Sequence, residues 1–184
     1  LSGAAGITFE LIWTHQLALV LGCTVTSVAL VSGFFLLGLG AGSRLGAVLS
    51  RASNLLGVFA GLELGVAVSG LMVAAELPHA AKLVGFLWSL LGGGPEALVL
   101  ARVILCGVAL LLPCLCMGAS LPVLCAYLNE RLGERFLRSL SWLYAINTAG
   151  AVAGVLICDK WLIPSVGLWK SAQAAACLDA IVAF

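Results

Sequence analysis

Three acidic side chains stand inside apolar stretches of this sequence, where ionised groups are rare. Glu10 lies in FELIWTHQ, Glu63 in AGLELG and Asp179 in CLDAIVAF. An ionised carboxylate at the centre of a lipid bilayer costs roughly 2.5 to 3.5 kcal/mol on insertion scales, so such residues usually have a function or a partner. These three acids are therefore the first candidates for a site.

Two interpretations of the acids stay open. In the first, Glu10 and Glu63 line a polar cavity that binds a cation or relays protons, with His15 as a titratable partner of Glu10. Trp13 and Tyr144 would then supply cation–π or interfacial contacts to the ligand. In the second, the acids are protonated or paired and only hold helices together. Their candidate partners are Asn147, His15 and Arg44.

Other kinds of chemistry find little support in the residue types. The cysteines lie almost entirely in apolar stretches, and the CxC at Cys114 and Cys116 directs its two thiols to different faces of a helix. The only histidines, His15 and His79, are not near a credible nucleophile. We therefore expect no metal, no cofactor and no catalytic residue. A net charge of +1, without a basic stripe, argues against nucleic acid as a partner.

The composition places these residues in a membrane. Of 184 residues, 62% are hydrophobic and 9% are charged, whereas roughly a quarter are charged in a soluble domain. We predict one integral membrane domain over residues 1–184, an all-α bundle of transmembrane helices in contact with the lipid bilayer. Dividing the chain into apolar runs of about 20 residues gives six spans, at residues 3–22, 24–49, 55–77, 97–128, 140–158 and 171–184.

Two segments need separate treatment. Residues 78–95 contain an apolar run too short to span a bilayer, which predicts an interfacial or re-entrant helix. The fourth span contains Pro113 and Pro122, and we expect one long helix kinked at each proline. The last span is still apolar at Phe184, so we expect the native chain to continue beyond it.

Basic residues next to the spans predict the orientation. They cluster in two loops that lie on the same side of the membrane, because two spans separate them; the residues are Arg44, Arg51, Arg131, Arg135 and Arg138. Basic loops favour the cytoplasmic side. Both termini are therefore predicted to be cytoplasmic.

Glycines four residues apart predict where the helices meet. Small residues at this spacing let two membrane helices approach closely, and an amide can hydrogen-bond across the contact. Three spans have such a face, and Asn147 lies one turn before the last pair. The glycines are Gly38, Gly42 and Gly46 in span two, Gly57, Gly61 and Gly65 in span three, and Gly150 and Gly154 in span five. We expect these three spans at the centre of the bundle; the same faces could instead bind a second copy or other membrane subunits.

Several stretches, taken in order, resemble the membrane domain of bacterial membrane-bound spermidine synthase-like proteins, also described as fused major-facilitator/spermidine synthases. They are LSGAAGITFELIWTHQLALVLG, FFLLGLGAGSRLG, LLPCLCMGASLPVL, LYAINTAGAVAGVL and LIPSVGLWKS. The resemblance implies a membrane domain followed by a cytosolic domain that resembles polyamine aminopropyltransferases. This chain contains no such catalytic domain, and it has His15 where the pattern would have Arg.

Two functions remain open from the sequence. The resemblance implies a membrane anchor that binds or passes a polyamine-like cation, with Glu10, Glu63, Trp13 and Asn147 as substrate-binding residues. The alternative is a non-catalytic structural subunit of a larger membrane complex, in which the glycine faces and residues 79–91 are docking surfaces. A transporter would need an internal repeat, and we find none that is convincing.

Overall fold

The computed structural model of this protein describes residues 1–22, 25–133 and 136–184, apart from the side chains of residues 26 and 27. Arg135, one of the basic residues used to predict orientation, lies outside these ranges. No strand occurs in the described chain. The α-helices in it are α1 (Ser2–Leu21), α2 (Val25–Leu49), α3 (Leu55–Glu76), α4 (Ala80–Leu90), α5 (Pro95–Leu132), α6 (Phe136–Ile157) and α7 (Ile163–Ala183).

Five helical segments in the described ranges are long and apolar enough to cross a membrane, which confirms the all-helical class and fits a membrane protein. They are Ser2–Leu21, Val28–Leu49, Leu55–Leu90, Pro95–Leu132 and Phe136–Ala183. The count differs from the predicted six because the turn expected over residues 159–170 is helical except at Gly167. Residues Cys158–Leu162 form a π-helical turn that joins α6 to α7. The number of crossings therefore stays a prediction.

Two of the predicted segments have a counterpart in the structure. Helix α4 occupies the short apolar run between Pro78 and Pro95, and its place at the membrane surface stays a prediction. Helix α5 runs over 38 residues with Pro113 and Pro122 inside it. The outside of the helices carries many large apolar side chains, as lipid-facing surfaces do; examples are Leu36, Val108, Leu112, Ile146 and Leu156.

The glycine face of α2 makes the closest helix contact. Gly38, Gly42 and Gly46 are buried and face residues 114–119 of α5. A Cβ added at Gly42 would overlap the carbonyl oxygen of Leu115, so the backbones touch without any side chain between them. Such a contact replaces the hydrophobic driving force that lipid does not provide.

The glycine face predicted on α3 differs from the structure. Gly57 and Gly61 are exposed, and a Cβ at Gly61 would meet open space. Gly57 instead lies against Asn54, whose side chain caps α3 by accepting a 2.9 Å hydrogen bond from the Gly57 amide. Only Gly65 faces another helix, with a Cβ position 3.2 Å from Sγ of Cys116. The spacing of the three glycines predicted a helix-packing face on α3, but only Gly65, at one end of that face, packs against another helix.

The glycine face of α6 lies against α1. The amide of Gly3 donates a 2.8 Å hydrogen bond to Oδ1 of Asn147. A Cβ added at Gly154 would lie 2.8 Å from the carbonyl oxygen of Ala4, and one at Gly150 would be at ordinary contact distance from Ala4. The amide and the small residues thus act on one side of α6, and their partner is α1.

Gln16 of α1 compensates for a proline at the end of α3. The ring nitrogen of Pro78 has no hydrogen, so the carbonyl of Ala74, four residues earlier, loses its helical donor. Nε2 of Gln16 donates a 2.8 Å hydrogen bond to this carbonyl. A backbone acceptor in lipid that lacked any donor would be costly, which gives a polar side chain in α1 a structural reason to be there.

We expect Gln16→Leu to lower the free energy of unfolding by about 1–3 kcal/mol, because the Ala74 carbonyl would be left unpaired. Thermal unfolding in detergent micelles measures the change. The matched control is Pro78→Ala, which restores a backbone donor four residues after Ala74. In the Pro78→Ala protein, Gln16→Leu should lower the free energy of unfolding by clearly less. An equal loss with and without Pro78→Ala would contradict the idea that Gln16 compensates for the proline.

Candidate functional site

Glu63 is the most deeply enclosed acid that lines a cavity. It lies eight residues after the start of α3, roughly 12 Å along the helix axis, and its side chain is only 1% exposed. Oε1 accepts a 3.3 Å hydrogen bond from the hydroxyl of Ser2. Oε2 is buried and has no hydrogen-bond partner in the described chain, because the hydroxyl of the neighbouring Ser120 donates its hydrogen to the carbonyl of Met117. Since buried polar atoms are nearly always paired, this oxygen is an exception that needs an explanation.

The cavity beside Glu63 has a volume of about 410 Å³. It lies at the end of the bundle where α1, α3 and α6 begin and α5 and α7 end. Its polar groups come from Glu63, Ser2, Ser120, Tyr144 and Asn147. The rest of its wall is apolar and includes two phenyl rings. Those lining residues include Phe35, Leu39, Phe59, Met117, Leu124 and Val182.

Asp179 is a second deeply buried acid near this cavity. Its side chain is 1% exposed, and Oδ2 has no hydrogen-bond partner in the described chain. It lies on α7, which packs against α3, the helix of Glu63. Val182, one turn further along α7, lines the cavity itself. The sequence named Asp179 as an acid but did not place it on a helix that packs against α3.

Glu10 and Trp13 lie elsewhere, which corrects the predicted cavity. Neither residue is in the wall of the cavity that Glu63 lines. Glu10 is half-buried and lies within electrostatic range of Cys114 on α5. His15, its predicted partner, is exposed, and its Nδ1 is 2.8 Å from the carbonyl oxygen of Leu11. Trp13 and His15 follow Glu10 by three and five residues on α1, and none of the three side chains lines the cavity with Glu63.

Trp13 has a packing role in the structure. It is fully buried, and its ring stacks on Phe9 with 5.4 Å between the ring centroids. The Phe9 ring occupies the space over Gly70 of α3. Nε1 of Trp13 donates a 3.4 Å hydrogen bond to the carbonyl of the same glycine. The two rings thus join α1 to α3, and Trp13 is not in the wall of the cavity that Glu63 lines.

The structure therefore brings together Glu63 and Asn147, two of the four predicted substrate-binding residues. Tyr144, named from the sequence as an aromatic contact, lines the cavity with them. The sequence analysis missed Ser2 and Ser120, and also the rings of Phe35 and Phe59. Nothing in the local sequence marks these residues, because only the packing of five helices brings them to one place.

A second cavity lies near the other end of the helices. Its volume is about 620 Å³, and its wall includes Gln16, Ala74 and Pro78 together with Leu168 and Trp169. Oε1 of Gln16 is buried without a hydrogen-bond partner in the described chain. The beginning of α7 thus lies at the opposite end from Val182, which lines the first cavity.

The chemistry of the first cavity fits an organic cation better than a metal ion. In the described ranges, no group of three or more His, Cys, Asp or Glu side chains could hold a metal. One buried carboxylate with apolar and aromatic walls instead suits a positively charged nitrogen on a hydrocarbon chain.

Compared with known protein families, with curated proteins and with solved structures, the chain matches none of them.

Proposed function

We propose that this chain is a membrane domain that binds an organic ammonium ion of the polyamine class in the cavity lined by Glu63. The observation that carries the proposal is the buried Oε2 of Glu63, which has no hydrogen-bond partner in the described chain. An ammonium group provides both the hydrogen-bond donor and the positive charge that this oxygen lacks.

No lysine or arginine among the described residues forms an ion pair with Glu63, and this supports the proposal. The one ion pair in the described ranges joins Lys160 to Asp159 on the surface, so no lysine or arginine there neutralises Glu63. A carboxylate surrounded by apolar groups needs a counter-charge or a proton. A bound ammonium ion would be that counter-charge.

The walls of the cavity support a ligand with a hydrocarbon chain. Phe35, Phe59 and Tyr144 present aromatic rings, and aromatic rings attract ammonium groups as well as methylene groups. A volume of about 410 Å³ lies within the range of small-molecule sites. A hydrated inorganic cation would gain little from such walls, because they offer few oxygen ligands.

We further propose that the chain crosses the membrane six times, with both termini on the cytoplasmic side. Gly167 breaks the last helical segment at φ +82° and ψ 171°, a backbone conformation available almost only to glycine. Val182 and Asn147 belong to one cavity, whereas Leu168 and Trp169 belong to the cavity at the other end. A reversal at Gly167 accounts for this arrangement and places the Glu63 cavity in the cytoplasmic half.

The experiment that tests the binding site measures the affinity of the full chain for spermidine in nanodiscs of neutral lipid. Removing the charge in Glu63→Gln should weaken binding about 10- to 100-fold, the value of a hydrogen bond to a charged group. The substitution keeps the size of the side chain. A neutral diol of similar length should not compete with spermidine.

The matched control is Glu10→Gln, which removes an acid from the same bundle but outside the cavity. It should bind spermidine with the affinity of the unmodified protein. Lack of binding by the unmodified protein, or an equal loss in the two variants, would contradict the proposal. Either result would favour the alternative, a structural subunit whose buried acids serve packing.

The wider part of the proposal is that this domain anchors a spermidine synthase-like protein. It rests on the resemblance of the sequence blocks given above. The test is the intact mass of the natively produced protein. A mass well above 18.8 kDa, with peptides from a soluble domain after Phe184, would support it; a mass near 18.8 kDa with stoichiometric partner subunits would contradict it.

A further inference from the structure

Two serine hydroxyls in the wall of the Glu63 cavity have already donated their hydrogens. The hydroxyl of Ser2 donates to Oε1 of Glu63 at 3.3 Å. The hydroxyl of Ser120 donates to the carbonyl oxygen of Met117, one turn earlier in α5, at 2.9 Å. Both serines line the cavity together with Glu63. A hydroxyl has one hydrogen and two lone pairs, so each of these oxygens can now only accept a hydrogen bond.

These two oxygens complement the free oxygen of Glu63. Oε2 of Glu63 is buried without a hydrogen-bond partner in the described chain, and an ionised carboxylate has no hydrogen to donate. Ser120 is only 8% exposed. The cavity therefore has three hydrogen-bond acceptors from three different helices, namely Ser2 from α1, Glu63 from α3 and Ser120 from α5.

Organic ammonium ions differ in the number of hydrogens on the charged nitrogen. A primary ammonium group has three, as the lysine side chain does. A secondary group, such as the internal nitrogen of spermidine, has two, and a quaternary group has none. Only the primary group can donate one hydrogen to each of the three acceptors.

We propose that the cavity recognises the primary ammonium end of its ligand, and that Ser2 and Ser120 determine this specificity together with Glu63. This inference rests on the proposed function and narrows the ligand class. A polyamine would bind by its terminal nitrogen, and its hydrocarbon chain would lie along the apolar wall formed by residues such as Phe35 and Met117.

The aromatic rings of the same wall would favour a different ligand if they acted alone. Rings such as those of Phe35, Phe59 and Tyr144 attract quaternary ammonium ions well. A quaternary ion would, however, leave the oxygens of Ser2, Glu63 and Ser120 without a donor. Unpaired acceptors in apolar surroundings are costly, so the oxygens should outweigh the rings.

The test compares two competitors of equal charge and equal chain length. They are 1,4-diaminobutane and its derivative with three methyl groups on each nitrogen. Each is titrated against radiolabelled spermidine bound to the full chain in nanodiscs of neutral lipid, and the inhibition constants are compared. We expect the primary diamine to bind at least tenfold more tightly, because a hydrogen bond to a charged group contributes about this factor.

Ser120→Ala separates hydrogen bonding from the size of the methyl groups. It removes one acceptor and leaves the hydrogen bond between Ser2 and Glu63 in place. We expect it to weaken binding of the primary diamine about tenfold and to leave the affinity for the methylated derivative unchanged. A site that excluded the derivative by size alone would keep its affinity for the primary diamine in this variant.

The matched control is Ser69→Ala. Ser69 is as buried as Ser120, at 6% exposed, and donates to a carbonyl of its own helix, that of Gly65, but it is not in the wall of this cavity. It should leave both inhibition constants unchanged. Equal binding of the two competitors, or an equal loss in the two serine variants, would overturn this inference and leave the proposed function standing. A complete lack of spermidine binding by the unmodified protein would overturn the proposed function itself.

Discussion

Gly42→Leu is expected to prevent α2 from packing on α5, whereas Gly40→Leu, two residues away on the same helix, should leave the bundle intact. At Gly42 even a Cβ would overlap the carbonyl oxygen of Leu115, and at Gly40 a Cβ meets open space. Overpacking a tight contact costs about 1–3 kcal/mol and sometimes more. Because the leucine of Gly42→Leu would be placed against a backbone carbonyl, its cost in stability should reach or exceed the upper end of this range.

Thermal unfolding of the two variants in the same detergent measures this contrast. Gly40→Leu should melt at the temperature of the unmodified protein or slightly higher, because leucine forms helices better than glycine does. Gly42→Leu should melt well below it or fail to purify as a monodisperse protein. Equal melting temperatures for the two variants would show that the backbones of α2 and α5 do not touch at Gly42.

Single cysteines introduced at three exposed positions are each expected to be accessible to a label from only one side of the membrane. In a cysteine-free protein within intact cells, a membrane-impermeant maleimide should label Ser165→Cys. It should label Arg138→Cys and Phe184→Cys only after the membrane is opened. The reason is the proposed reversal at Gly167, which returns the chain to the side on which α6 begins.

This labelling pattern separates six crossings from five. With five crossings, residues 138 and 184 would lie on opposite sides, so one of the two would react in intact cells. All three substituted side chains are on the outside of the protein, so a lack of reaction does not come from packing inside it. Labelling of residue 138 in intact cells, with residue 165 protected, would reverse the predicted orientation.

The class of the fold could be predicted from the sequence because the apolar composition indicates that the chain is surrounded by lipid and not by water. Long apolar runs without charges form helices in lipid, since every backbone group must be paired within the segment. The join between α6 and α7 could be predicted only in part. Asp159, Lys160 and Pro164 predict a turn over residues 159–170, and the helix does break within that range, at Gly167. The residues at its start instead stay helical, through a π-helical turn.

The candidate site could be predicted only in part, for a geometric reason. Spacing along one helix tells which residues share a face, and it placed Asn147 correctly beside the glycines of α6. It does not tell which helix that face meets. Glu10 and Glu63 were therefore expected in one cavity because both are acids, while the structure leaves Glu10 out of the wall that Glu63 lines. The roles of Gln16 and Ser2 likewise depend on contacts between helices.

The backbone contact between α2 and α5 has a consequence for how this protein can evolve. Any substitution of glycine adds at least a Cβ, so Gly42 has no neutral alternative among the twenty amino acids as long as Leu115 keeps its place. A change there needs a second, compensating change in the opposite helix. At a lipid-facing position such as Val108, which is 75% exposed, other apolar residues are interchangeable. Natural variation should therefore accumulate on the outside of the bundle and spare this contact.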